Sequence, residues 1–65
     1  MTSYELAKLV WENCIDPDAL ANGYTAQDAA ADLENFRADG WDIPGDITTE
    51  ELAAAVNDVI AEAQQ

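Results

Sequence analysis

Apolar residues recur at helical spacing in three segments of the chain, and each segment begins with an N-cap signal. In the first segment, Thr2 and Glu5 fit a capping box, in which the cap residue and the third helical residue bond each other's backbone N–H. Pro17 ends the segment, because proline has no N–H with which to continue a helix. The apolar face between these signals consists of Leu6, Leu9, Val10 and Cys14.

A second apolar stripe lies beside that face on the first helix. It consists of Tyr4, Trp11 and Ile15, with Lys8 among them. Two stripes mean either that the helix is covered on more than one side or that one stripe is exposed. An exposed stripe would be suited to packing on a helix of a partner protein.

A short helical turn is predicted between the first and second long helices. Asp16 is a suitable N-cap, and Pro17 suits the first helical position, where its missing N–H costs nothing. Asn22 and Gly23 end the turn, since both tolerate a positive φ. The residues around this Asn-Gly pair do not alternate as strands do, so a β-hairpin is not assigned.

The second long helix begins after Thr25, with Asp28 at the capping-box position. Tyr24 and Ala29 occupy the two positions of a hydrophobic staple, which fixes the direction in which the chain enters the helix. Its core face is expected to consist of Ala29, Ala30, Leu33 and Phe36.

The end of the second helix is predicted at Gly40. Trp41 is expected to fold back over the last turn, as the apolar residue of a Schellman motif does. Arg37 lies in that turn, where a cation suits the helix dipole. The chain then follows an irregular connection over 41–47, around Pro44 and Gly45.

The third long helix has the clearest start. Thr48 and Glu51 fit a capping box, and Ile47 and Leu52 fit a hydrophobic staple. The helix is expected to run to about Ala63. Its apolar stripe consists of Leu52, Ala55, Val56, Val59, Ile60 and Ala63.

These segments predict an all-α fold, a small bundle of three main helices with a short helical turn between the first two. No segment alternates as a strand does, and no repeat or linker is visible. A chain of 65 residues is expected to form one domain, residues 1–65. A domain of this size buries only about 60% of the surface of its unfolded chain, so it holds one small core.

The charge of the chain is unusual for a folded domain. Fourteen acidic residues face only Lys8 and Arg37, and the formal net charge is −12. Direct binding to nucleic acid is excluded, because phosphate contacts need lysine and arginine. Docking on an anionic membrane is disfavoured for the same reason. The excess of acidic over basic residues favours a strongly basic protein partner.

The first residues also lack the basic and apolar regions of a signal peptide. No stretch approaches the roughly 20 apolar residues that a membrane-spanning helix needs. Cys14 is the only cysteine, so an intrachain disulfide cannot form. We therefore expect a cytoplasmic protein.

The acids follow a pattern along the second helix. One stripe on the side away from Leu33 consists of Asp28, Asp32, Asn35 and Asp39. Asp42 and Asp46 extend the stripe into the connection, and Glu34 is expected beside the core face. A further acidic cluster at the end of the first helix consists of Glu12, Asp16 and Asp18.

Three interpretations of this pattern remain open. The acids form either a solvated helix face, or an adaptation to a saline cytoplasm, or a surface that imitates nucleic acid. Like charges four residues apart, as at Asp28 and Asp32, destabilise a helix by a few tenths of a kcal/mol. Carboxylates four apart are separated by about 6 Å along the axis, a spacing comparable with that of phosphates along a strand. Imitation of nucleic acid also explains the scarcity of lysine.

The sequence offers little catalytic chemistry. It has no histidine, no glycine-rich phosphate loop, and a cysteine that lies on an apolar stripe. Asp16 and Asp18 begin like an EF-hand loop, but the glycine and the final glutamate are missing. Asp39, Asp42 and Asp46 offer at most a loose cation site. We predict no enzyme activity and no cofactor.

Two tryptophans, Trp11 and Trp41, are either core residues or interface anchors. Trp41 is the better candidate anchor, since it lies among Asp39, Asp42 and Asp46.

A tiny, all-helical, histidine-free and strongly acidic chain resembles the phage and mobile-element inhibitors that imitate DNA. It is most similar to the small acidic anti-CRISPR proteins of type I (Cascade) systems, and among these to the type I-C inhibitors. The antirestriction DNA mimics are a neighbouring family. The likeness is one of overall character and does not align residue by residue.

The resemblance implies a mechanism and a partner. The acidic face would occupy the basic site at which a Cas surveillance subunit receives target DNA near its PAM, and DNA would be excluded. The protein would act as a monomer in the cytoplasm of a bacterial host. The alternative is a small interaction or regulatory module that binds through the Tyr4, Trp11 and Ile15 stripe.

Overall fold

A computed structural model describes residues 1–13, 15 and 17–65. Within these residues the chain forms four helices and no strand, so the all-helical prediction is confirmed. The elements are α1 (Ser3–Asn13), α2 (Pro17–Asn22), α3 (Ala26–Ala38) and α4 (Thr49–Ala63). The predicted helical turn is a six-residue helix of its own, α2. Helix α4 is central, because it packs against both α1 and α3.

Helix α1 begins with the predicted capping box. Thr2 N–H donates to Glu5 Oε1 at 3.0 Å, and Glu5 N–H donates to Thr2 Oγ1 at 3.1 Å. These bonds, the one from the Thr2 backbone first, lower the pKa of the Glu5 carboxyl. Leu6 and Val10 are fully buried as predicted, and so is Ala7, which the apolar stripe did not include.

Predictions at the end of α1 are only partly testable. Leu9 is half-buried against the core. Cys14, predicted on the apolar face, and Asp16, predicted as the cap of α2, lie outside the described residues. Pro17 is the first residue of α2, as expected for a residue without an N–H.

The turn between α2 and α3 depends on Gly23. Its φ is +91°, and its N–H donates to the Ala19 carbonyl at 2.9 Å. A residue with a Cβ would be strained in this conformation. The turn brings Tyr24 into the core, where it is 5% exposed.

Helix α3 begins with both bonds of its capping box, between Thr25 and Asp28. Ala29, Leu33 and Phe36 are buried, which confirms most of the predicted face. The assignment of Ala30 to the core is wrong, because Ala30 is exposed. It lies about 100° round the helix from Ala29, past the edge of the buried face.

Helix α3 ends in the predicted Schellman motif. Gly40 has a φ of +89°, its N–H donates to the Arg37 carbonyl at 3.1 Å, and Trp41 N–H donates to the Phe36 carbonyl at 3.0 Å. The Trp41 ring packs edge-to-face on Phe36, with centroids 5.5 Å apart. Trp41 therefore covers the last turn of α3.

Helix α4 follows an irregular connection and begins after Thr48, whose Oγ1 accepts from Glu51 N–H at 3.1 Å, the first of the two bonds of the predicted capping box. Ile47 and Leu52, the predicted staple, are both buried. Ala53 is buried although the stripe omitted it, and Ala63 is exposed although the stripe included it. The core is formed by Leu6, Ala7, Val10, Ala19, Tyr24, Ala29, Leu33, Phe36, Ile47, Leu52, Ala53, Val56, Val59 and Ile60.

Asn57 of α4 ties the α2–α3 turn to the central helix. Its Oδ1 accepts from Tyr24 N–H at 3.0 Å, and its Nδ2 donates to the Tyr24 carbonyl at 2.8 Å. Nδ2 also donates to the Ala53 carbonyl at 2.9 Å. Both backbone polar groups of a buried residue are thus satisfied by one side chain.

We expect Asn57→Ala to lower the free energy of unfolding by about 1–3 kcal/mol, because it removes the side-chain hydrogen bonds to the Tyr24 N–H and carbonyl. Urea denaturation followed by circular dichroism measures the change. Asn35→Ala, at an exposed position of α3, is the control and should leave stability unchanged or slightly raised. Equal effects of the two substitutions would show that the Asn57 bonds do not stabilise the fold.

Candidate functional site

Three acids of the predicted stripe lie on the same side of α3. Asp28 is in its first turn, Asp32 is one turn further, and Asp39 is the C-cap. At 3.6 residues per turn their directions fall within about 40° of each other. Asp28 and Asp39 are exposed, and Asp32 is half-buried.

Asp32 is less exposed than the other acids of the stripe. Tyr24 Oη donates a hydrogen bond to Asp32 Oδ2, and the carboxylate lies at the margin of the core. Tyr24 enters the core from the α2–α3 turn, so its hydroxyl reaches the α3 residue one turn past the capping box. Asp32 is therefore held in place by the fold.

Asp28 also has a structural role. Its Oδ2 accepts from Thr25 N–H at 3.1 Å, which completes the capping box of α3. Removing this carboxylate would weaken the start of the helix as well as the acidic surface. Among the described residues, the Asp39 side chain makes no hydrogen bond of this kind.

The remaining acids around the end of α3 are exposed. Asp42 and Asp46 lie in the connection to α4, and Glu34, expected at the edge of the core face, is also exposed. Trp41 lies among them and is 42% exposed. The Schellman motif fixes the backbone at this point, so the indole and its acidic neighbours form a defined surface. We call the surface formed by Asp39, Trp41, Asp42 and Asp46 the α3-end surface.

The acids near α1 and α2 are placed differently. Glu12 and Asp18 are exposed, and Asp16 lies outside the described residues. Asp18 and Asp28 both line an open cleft of about 350 Å³. The sequence predicts two separate groups for them, with Asp18 in the cluster at the end of the first helix and Asp28 in the stripe of the second. The cleft runs between α2 and the start of α3, and its lining residues are Asp18, Ala19, Asn22, Gly23, Thr25 and Asp28.

The chain's two basic side chains lie apart from each other. Lys8 Nζ lies 5.2 Å from the centroid of the Tyr4 ring, a cation–π contact on α1. Arg37 is exposed in the last turn of α3. Two cations cannot neutralise fourteen acids, so most of the surface keeps its negative charge.

The alternative binding stripe on α1 is largely occupied by the fold. Trp11 and Ile15 are half-buried and pack against the core. Tyr4 is 40% exposed, and its Oη donates to Glu62 Oε2 at 2.9 Å. This bond raises the pKa of Tyr4. The stripe therefore offers one exposed aromatic ring, which already has Lys8 over it.

In the described part of the chain, no three acidic or cysteine side chains lie close enough together to hold a metal ion, and this includes Asp39, Asp42 and Asp46. Among the helices that the structure describes, none is both long and apolar enough to cross a bilayer.

Sequence patterns missed two contacts at this site, the bond from Tyr24 to Asp32 and the bonds of Asn57 to Tyr24. The first joins residues eight apart, and the second joins residues 33 apart. An asparagine inside a helix was the one available signal, since it disfavours helix unless its amide finds a partner.

Comparison of the chain with protein-family models, curated proteins and solved structures finds no match.

We expect Gly40→Ala to destabilise the fold by about 1–2 kcal/mol, the cost of a side chain at a positive φ. A Cβ added there meets nothing within 4 Å, so the cost is one of backbone conformation. Gly45→Ala is the matched control, because its Cβ also meets nothing within 4 Å and its φ is not positive. Urea denaturation should show a change below about 0.5 kcal/mol for Gly45→Ala. A silent Gly40→Ala would contradict the Schellman geometry that positions Trp41.

We also expect sodium chloride to stabilise the fold. A net charge of −12 repels itself in the compact state, and raising salt from about 0.01 M to about 1 M shortens the screening length from about 30 to about 3 Å. The thermal midpoint, measured by circular dichroism, should rise with salt. The rise should be smaller in the double variant Glu51→Lys/Asp58→Lys, whose net charge is −12 + 4 = −8. A midpoint that falls with salt would mean that attractive charge pairs dominate.

Proposed function

We propose that this protein is a phage or mobile-element inhibitor of a host DNA-targeting defence complex, acting as a DNA mimic. Its acidic surface occupies the basic site at which a Cas subunit of a type I complex binds target DNA near the PAM. DNA is excluded by competition, with no catalytic step and no cofactor. The protein acts as a monomer in the cytoplasm of the bacterial host.

The observation that carries this proposal is the series of acids on one side of α3 and in the following connection, at Asp28, Asp32, Asp39, Asp42 and Asp46. Asp28 and Asp39 are separated by about 16 Å along the helix axis, at 1.5 Å per residue. Phosphates of one strand advance about 3.4 Å per nucleotide along a duplex, so this length corresponds to about five nucleotides. A groove shaped and charged for DNA would meet negative charge over a similar length.

The scarcity of basic residues supports the same proposal. A solvated helix face tolerates lysine and arginine among its acids, and such pairs would favour the helix. Here two cations accompany fourteen acids, which preserves a negative field around the whole chain. Such a field steers the protein toward a basic groove and accelerates association. An adaptation to a saline cytoplasm would explain the composition without any preference for a DNA-binding site.

The scaffold suits a presenting role. We treat α1, α3 and α4 as a small bundle and α2 as a short connection, with α4 supporting α3 from behind. The capping box, the Tyr24–Asp32 bond and the Schellman motif each fix part of the acidic surface. A surface that is rigid before binding loses little conformational entropy when it binds.

The second candidate is an interaction or regulatory module that binds through Tyr4, Trp11 and Ile15. Tyr4 alone is exposed in this stripe, and Trp11 and Ile15 pack against the core. One exposed ring is a small basis for a helix-packing interface. These observations favour the acidic surface over the α1 stripe.

The test is competition for DNA. A purified type I-C surveillance complex is incubated with a fluorescently labelled target duplex that carries its PAM, and anisotropy reports binding. Added inhibitor should release the duplex, and its apparent affinity should fall steeply as sodium chloride rises. Release that does not depend on salt, or no release at a large excess of inhibitor, would contradict the proposal.

Charge-reversed variants identify the surface. Asp42→Lys/Asp46→Lys removes two acids of the α3-end surface, whereas the control Glu51→Lys/Asp58→Lys removes two exposed acids of α4; both variants carry a net charge of −12 + 4 = −8. We expect the first variant to lose about tenfold or more in affinity, because two attractive pairs become repulsive. The control should change severalfold less. Equal losses would mean that only the total charge matters.

The same assay separates the two candidate functions. The module hypothesis predicts that Tyr4→Ala abolishes binding and that the reversal at Asp42 and Asp46 is silent. The mimic hypothesis predicts the reverse. Asp28 and Asp32 are left unchanged in these variants, because the fold uses both carboxylates.

A further inference from the structure

Two aromatic side chains are exposed among the described residues, and they differ in what covers their rings. Tyr4 is 40% exposed, but Lys8 Nζ lies 5.2 Å from its ring centroid and its hydroxyl donates a hydrogen bond to Glu62. Trp41 is 42% exposed, and the ring contact that it makes is with Phe36. The chain therefore supplies a cation for one exposed ring and leaves the other for a cation from outside.

Trp41 is also held in a fixed position. Its backbone N–H closes the Schellman motif, and its ring meets Phe36 at 84° in an edge-to-face contact. Phe36 is itself buried, so the indole contacts the core through Phe36 while 42% of Trp41 remains exposed to solvent. An aromatic ring that is large, rigid and partly exposed is the usual form of an interface anchor.

The negative charges next to Trp41 favour a cationic group as the partner that covers the indole. Asp39 and Asp42 lie two residues before and one residue after the indole, and both are exposed. A guanidinium can stack its plane on an aromatic ring and donate in parallel to a carboxylate. A lysine ammonium can approach the ring or the carboxylate as a point charge, but it has no plane to stack.

We infer that Trp41 is the anchor of the α3-end surface and that it receives an arginine side chain of the partner, whose guanidinium stacks on the indole and pairs with Asp39 or Asp42. This inference rests on the proposed function and specifies the partner groove, which is lined by arginine at this point. The indole takes the place of a nucleobase, and the carboxylates take the place of the flanking phosphates.

The test compares two peptides of equal length and charge, nona-arginine and nona-lysine, by titration into the ¹⁵N-labelled protein at low salt. The chain has two tryptophans, and the variant Trp11→Phe assigns their indole N–H resonances. Nona-arginine should bind more tightly than nona-lysine and should shift the Trp41 indole resonance more than that of Trp11. Equal affinities, or a larger shift at Trp11, would overturn the inference.

Two matched variants distinguish the effect of an aromatic ring at Trp41 from the effect of any apolar side chain there. Trp41→Leu keeps an apolar side chain on Phe36 and removes the aromatic face, and Tyr4→Leu does the same at the other exposed ring. Trp41→Leu should weaken nona-arginine binding by about two- to tenfold, the range of a partly exposed cation–π contact, and leave nona-lysine binding nearly unchanged. Tyr4→Leu should affect neither. An unaltered arginine preference in Trp41→Leu would refute the anchor role, and helix content by circular dichroism verifies that each variant is folded.

The outcomes distinguish this inference from the proposed function. If both peptides bind equally and DNA is still displaced from the surveillance complex, the protein is a mimic without an arginine anchor at Trp41. If arginine is preferred through Trp41 and DNA is not displaced, the arginine-binding surface serves a different basic protein.

Discussion

Burial of the apolar face of α4 between α1 and α3 is the interaction on which the rest of the structure depends. The largest fully buried side chains are Leu6 and Val10 of α1 and Leu52 and Val56 of α4. This small core has to hold together a chain whose net charge of −12 favours expansion. Some carboxylates stabilise the fold locally, as Glu5 and Asp28 do in their capping boxes. Most of the negative charge has no cation to pair with, so a surface this acidic is retained at a cost in stability.

Local signals predicted the ends of the helices well. The capping boxes of α1 and α3 and the Schellman motif at Gly40 and Trp41 all form as expected. Each of them is completed within six consecutive residues, so the sequence contains the whole motif. The positions of the acids along α3 follow from the same helix, and their common direction was predictable from spacing alone.

Contacts between distant residues were not predictable, and they decide what each acid does. Asn57 reaches Tyr24 across 33 positions, Glu62 reaches Tyr4 across 58, and Tyr24 removes Asp32 from the freely exposed set. The errors at Ala30 and Ala63 have a different cause. Alanine buries so little surface that it is tolerated equally in a core and on a surface, and its position in a stripe carries little information.

These roles move the centre of the proposed interface away from the middle of α3. Asp28 is engaged at the cap and Asp32 at the core margin, so neither carboxylate can turn toward a partner without weakening its bond to Thr25 or Tyr24. Within the part of the chain that the structure describes, Asp39, Asp42 and Asp46 make no side-chain hydrogen bond to the fold, and Trp41 presents an apolar surface among them. A side chain contributes to binding only if its contacts with the partner gain more free energy than is lost from its contacts within the fold. That condition is met best where the helix ends, and it is the reason to expect the strongest contacts there.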